Sequence, residues 1–237
     1  SLADTAANLT AVLNATTVNG ASSVTLTDTA TAAQAVTLDS LTPDIDYAIV
    51  DSYAGLAAVI GTNDDVLLAA TDITLNGDAG TVAEAQKIAS LNAKLENAGK
   101  ATLDYAIADS IANLPSGSEA DKDPADVALL SGATSVTVAG TGAAIKAYAE
   151  STDTDGLFAQ VDSYNIDVGS ESDASALSGD IAAAGSYYDG ADKISITTAD
   201  LTAANAAADY DLLVTDNNAD KLSFTDISDS AANLQTE

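Results

Sequence analysis

One eight-residue phrase recurs four times along the chain: LADTAANL at residues 2–9, IVDSYAGL at 49–56, IADSIANL at 107–114 and ISDSAANL at 227–234. Repetition at intervals of tens of residues marks an array in which each unit buries its apolar face against its neighbours. Two kinds of strand alternate through the same span. One carries Tyr: DYAIVDS (46–52), DYAIADS (104–110), SYNIDVG (163–169) and DYDLLVTD (209–216). The other lacks it: SVTLTDT (23–29), DITLNGD (72–78), SVTVAGT (135–141) and KISITTAD (193–200). The strand starts fall at Val24, Tyr47, Ile73, Tyr105, Val136, Tyr164, Ile194 and Tyr210, in steps of 16 to 32 residues.

Each strand alternates with period two, is rich in Val, Ile, Thr and Tyr, and ends in a cluster of Asp, Gly, Ser or Thr. A helical pattern follows at 29–38, 81–99, 141–150, 172–185 and 197–209, where Ala-rich segments open on Ser, Thr or Asp. The strongest is 81–99: Val82, Ala85, Ile88, Leu91 and Leu95 recur at three- and four-residue steps, and Gly99 stands where a C-terminal cap belongs. Strand followed by helix at a pitch near 30 residues predicts an α/β fold, a solenoid-like array of βα repeats with one continuous parallel sheet and helices on a face. The array spans 1–237, with two-part repeats near 23–72, 73–135 and 136–193 and atypical ends at 1–22 and 194–237. The final short step predicts a closing hairpin over Asp209–Phe224. An all-β tandem sandwich is the competing class, since short strands with polar turns suit it as well.

Composition narrows the function. There are 36 acidic residues against 7 Lys, with no Arg and no His, giving a net charge of −29. Nucleic acids and anionic membranes require basic clusters, so neither is an expected partner. No apolar run reaches the ~20 residues of a membrane span. A chain this acidic repels itself unless salt or bound divalent cations screen it, conditions easier to meet outside a cell. Cys is absent, so stability comes from packing rather than disulfides. Without His or Cys there is no Ser-His-Asp triad, Cys nucleophile or H-E-x-x-H zinc site, and the expectation is a non-enzyme. Gly140-Thr141-Gly142 follows a strand like a dinucleotide loop but lacks the third Gly, so it reads as a repeat turn.

The phrases at Tyr47–Leu56 and Tyr105–Leu114, with the segment Val24–Ala35, resemble repeats of large secreted bacterial surface proteins of the S-layer and giant-adhesin kind. The resemblance implies an extracellular, cell-surface, non-enzymatic role. In relatives exported by type I systems it also implies calcium dependence, although the nonapeptide G-G-x-G-x-D is missing here.

The Asp residues Asp4, Asp28, Asp51, Asp109 and Asp229 recur at strand-to-helix turns, where a carboxylate caps the next helix. Two acidic loops offer oxygen ligands for calcium: Asp121, Asp123 and Asp126, and Asp153 with Asp155 before Gly156. Tyr47, Tyr105, Tyr164 and Tyr210 share a register and read as core spacers. Ends in one repeat phase suggest joining, with Leu2, Leu9 and Leu13 meeting Phe224, Ile227 and Leu234 of a neighbouring copy or of the continuation of a longer polypeptide. The expected function is therefore an extracellular structural repeat that self-assembles, or forms part of a surface layer, filament or adhesin stalk. A calcium-dependent adhesive module is the first alternative and an acidic secreted hydrolase domain the second.

Overall fold

The computed structural model describes residues 1–11, 15–41, 44–115, 124–151, 157–169, 179, 181–182, 187–196, 206–207 and 219–224. The chain divides into two compact units, Ser1–Ala106 and Ile107–Glu237. Every strand pair among the described residues is parallel, as βα repeats require and an antiparallel sandwich does not allow.

In the first unit, β1 (Leu2–Asp4) pairs with β2 (Val24–Leu26), and β3 (Ala48–Ser52) pairs with β4 (Asp72–Asn76). The expected continuous sheet does not form between these two pairs. After Leu26 a turn carries the chain sideways to Ala30, which makes a single parallel bridge to Ile49. There the Ala30 N–H donates to the Ala48 carbonyl and the Val50 N–H to the Ala30 carbonyl, both at 2.9 Å. The same sidestep follows β4, where Gly77 takes a φ of 120° and the Gly80 N–H reaches the Ala106 carbonyl at 3.0 Å. In this unit β2 and β4 thus each pair with one strand along their length, and a residue four positions past the strand end, Ala30 or Gly80, makes the next sideways contact.

Helices α1 (Ala6–Leu9), α2 (Ala15–Asn19), α3 (Ala32–Asp39), α4 (Tyr53–Val59), α5 (Asp64–Ala69) and α6 (Val82–Asn97) complete this unit. The three- and four-residue spacing in α6 buries Val82, Ala85, Ile88, Leu91 and Leu95 on one face. Thr81 and Glu84 close a capping box at its start. At its end Gly99, with φ 68°, lets Lys100 N–H bond the Leu95 carbonyl at 2.9 Å. The segment 53–69 shows no helical period that the sequence alone betrays; it folds as α4 and α5, broken where Gly61 adopts a φ of 89°. Ile49, Leu56, Leu67, Ile88 and Leu91 form the fully buried centre. Along β4, exposed Asp72, Thr74 and Asn76 alternate with half-buried Ile73 and Leu75, the pattern of a sheet packed on one side.

In the second unit, β5 (Ile107–Ser110), β6 (Val136–Gly140), β7 (Ser163–Gly169), β8 (Lys193–Ile196) and β9 (Leu222–Phe224) form one sheet in sequential order. Ile107, Val136, Val138, Ile145, Ile166 and Ile194 fill its core, with α7 (Pro124–Ser131) and α8 (Gly142–Glu150) contributing. Tyr105, expected to open β5, precedes it by two residues. The expected hairpin is replaced at Leu222–Phe224 by parallel pairing with β8, and its other arm lies outside the described residues. The expected helices at 172–185 and 197–209 also lie almost wholly outside them.

Candidate functional site

The recurring phrase resolves into a single device at the strand-to-helix turn. Its first apolar residue lies in a strand, with Ile49 and Ile107 fully buried, and its last is buried beneath the turn, as Leu9, Leu56 and Leu114 are. Between them the Ser or Thr after the Asp is the helix cap. Thr5 Oγ1 accepts the Asn8 N–H at 3.3 Å, Ser52 Oγ accepts Gly55 N–H at 3.1 Å, and Ser110 Oγ accepts Ala112 N–H at 3.3 Å. Extended backbone at these positions lets the oxygen fold over the next turn.

The Asp itself does something else. Asp28 Oδ1 accepts the N–H of Ala6, the first residue of α1, at 2.7 Å across 22 residues. Asp51 Oδ2 accepts the N–H of Ala32, the first residue of α3, at 2.9 Å across 19 residues. The expectation that these carboxylates cap the following helix is corrected here: both close the preceding one. The starts of α1 and α3 are thus held twice, by their own hydroxyls and by a carboxylate from the following strand or the turn after it, which the positive helix end favours.

Asp4 and Asp109 use one oxygen locally. Asp4 Oδ1 accepts Thr5 N–H at 2.8 Å and Asn8 Nδ2 at 2.7 Å; Asp109 Oδ1 accepts Ser110 N–H and Asn113 Nδ2, both at 2.7 Å. The Asn8 amide and then the Thr5 N–H hold the Asp4 carboxyl below the usual carboxylate range. Asp229 lies outside the described residues.

Two lysines serve the opposite ends of the helices. Lys87 Nζ donates to the Ala57 carbonyl at 2.6 Å and Lys100 Nζ to the Ala70 carbonyl at 2.7 Å, satisfying the last turns of α4 and α5. Lys94 pairs with Asp64, whose carboxyl is lowered first by that hydrogen bond and then by the Gly61 N–H. A cleft of about 300 Å³ lies by Leu67, Ile73, Leu95, Lys100 and Leu103. Thr71, Asp72 and Thr102 also line it, and its one cation, Lys100, is engaged as a helix cap.

Tyr47 and Tyr105 are buried, and burial raises the phenol of each; nearby Asp39 raises Tyr47 further. The Tyr47 hydroxyl donates to the Val66 carbonyl at 2.9 Å. Tyr164, half-buried and raised mainly by burial, donates to the Tyr187 carbonyl at 2.8 Å beside the Phe158 ring. Tyr210 lies outside the described residues. Tyr53, not singled out by the sequence, lies against Gly80 and accepts the Ala106 N–H at 2.9 Å.

Of the cation-loop residues, Asp126 is half-buried in the first turn of α7, while Asp121, Asp123, Asp153 and Asp155 lie outside the described residues. No group of three potential metal ligands occurs among the described residues. Gly140-Thr141-Gly142 is another strand-to-helix turn: Thr141 Oγ1 accepts Ala144 N–H at 3.2 Å, and a Cβ on Gly140 would fall 2.4 Å from Ile111. Of the assembly residues, Leu2 is half-buried in β1, but Leu9 is only 2 % exposed and belongs to the unit's own core. Leu13, Ile227 and Leu234 lie outside the described residues, whereas Phe224 ends β9. No family model, curated protein or solved structure matches this chain.

Proposed function

We propose that the chain is an extracellular structural repeat module, a βα solenoid that builds a surface layer, filament or adhesin stalk with copies of itself or with adjacent repeats. One observation carries the reading: Asp28 and Asp51 each complete the helix of the preceding strand-helix unit, so each unit is finished by its neighbour rather than by a ligand. Parallel strands in sequential order within the second unit support it. So does the occupation of Lys87, Lys94 and Lys100 in holding other elements. Modules completed by like modules suit arrays. Labelling the chain on native cells and imaging their surface by electron microscopy tests the reading. An ordered lattice or extended filament carrying the label is expected, and label confined to the cell interior would overturn it.

A further inference from the structure

We propose that Asn76–Gly77 is a self-modifying site, at which the folded chain slowly converts the Asn76 amide into a carboxylate through a succinimide. The reaction needs only water and depends on this one turn, whatever the module builds. Asn followed by Gly is the pair in which such closure meets least hindrance, because no Cβ crowds the attacking nitrogen. The sequence holds the pair twice, at Asn19–Gly20 and at Asn76–Gly77, and the fold treats the two differently.

Asn76 is the exposed last residue of β4, and Gly77 opens the turn beyond it at a φ of 120°. Among the described residues no hydrogen bond holds the Asn76 side chain, and no backbone carbonyl takes the Gly77 N–H. Other amides are engaged: Asn8 Nδ2 by Asp4, Asn63 Nδ2 by Thr62 and Asn113 Nδ2 by Asp109. The space beside the turn is open, since a Cβ built on Gly77 would come no closer than 3.9 Å to a neighbouring atom, Tyr53 Cδ2. Asn19 instead ends α2, and the Gly20 N–H donates to the Thr16 carbonyl at 3.2 Å. That bond keeps the Gly20 nitrogen against the preceding turn and must open before it can attack. At Asn76 no such opening is needed. Base removes the Gly77 amide proton and the nitrogen attacks Asn76 Cγ; the Cγ–Nδ2 bond breaks and ammonia leaves with a proton. Water then opens the ring. Addition at Cγ yields Asp, whereas addition at the main-chain carbonyl yields isoaspartate, with a methylene transferred into the backbone. Either product adds one negative charge at the step from β4 toward Gly80.

Incubating the folded chain in mildly alkaline buffer, then cleaving it with an Asp-specific protease and locating the modified residues by fragmentation mass spectrometry, tests the site. Acid and isoaspartyl forms are expected to accumulate at Asn76 several-fold faster than at Asn19, at a rate that rises with pH. The same incubation in urea, which frees the Gly20 N–H, should bring the two rates together. Asn76→Gln, whose longer side chain must close a larger ring, should remove the modified peptide at an unchanged melting temperature. Conversion of Asn76 no faster than that of Asn19 in the folded chain overturns the proposal. So does an undiminished preference in urea, which would trace it to the neighbouring residues rather than to the fold.

Discussion

Asp51 holds two amide groups that belong to different helices, Ser52 N–H with one oxygen and Ala32 N–H with the other. Replacing it by Ala leaves the start of α3 without its second acceptor, and the expected loss is about 1–2 kcal/mol in urea unfolding. Asp72→Ala, at an exposed strand position, should stay within about 0.5 kcal/mol. That the turn Asp residues are structural is legible in the sequence, because they recur beside Ser or Thr before a helical pattern. Which helix they close is not legible, because a bond across 19 or 22 residues depends on how neighbouring strands sidestep. The phenols give a pH signature. Tyr47, Tyr105 and Tyr164 are raised by burial, so the folded state keeps protons that the unfolded chain releases above about pH 10. Stability is therefore full below that pH and falls as pH rises beyond it, and Tyr47→Phe should flatten the fall in melting temperature. Asp64 acts in the opposite direction. Its carboxyl is lowered, so its contribution holds above about pH 4 and is lost as acid protonates it; Asp64→Asn should reduce acid sensitivity there.

Two glycines set the limits of elements. Gly61 ends α4 at a φ of 89°, and a Cβ there meets no atom within 4 Å, so Gly61→Ala isolates backbone strain. The expected cost is about 1 kcal/mol by denaturant titration. Gly80 is constrained by contact instead: a Cβ would fall 2.4 Å from Tyr53 Cδ1. Gly80→Ala must displace that ring and its bond to Ala106, costing about 1–3 kcal/mol and changing the near-ultraviolet tyrosine signal. Helix α6 was legible because period, capping box and terminal Gly agree over 16 residues. The α4–α5 pair was not, since Leu56, Ala57, Val59, Ile60, Val66 and Leu67 form apolar runs whose break becomes apparent only with the backbone at Gly61.

At the scale of the molecule, 36 carboxylates against 7 lysines make cohesion dependent on the surrounding ions. Sodium chloride should raise the melting temperature by screening. Calcium should raise it further at matched ionic strength, as a ligand of the folded state must. Equal rises would assign Asp121, Asp123, Asp126, Asp153 and Asp155 to the ordinary solvated surface. The parallel α/β class follows from the regular strand-helix pitch. The interruption between β2 and β3 does not, because a turn's sideways step leaves no mark in a hydrophobic pattern.

Backward closure also gives the chain a direction in time. Asp28 reaches back to Ala6 and Asp51 to Ala32, so a helix emerging from a ribosome or an export channel waits for the following strand to seal it. Completion trails emergence by about one unit. Trimming the chain from the two ends is then unequal: loss of a leading unit idles a carboxylate, whereas loss of a trailing unit leaves a helix start unsealed.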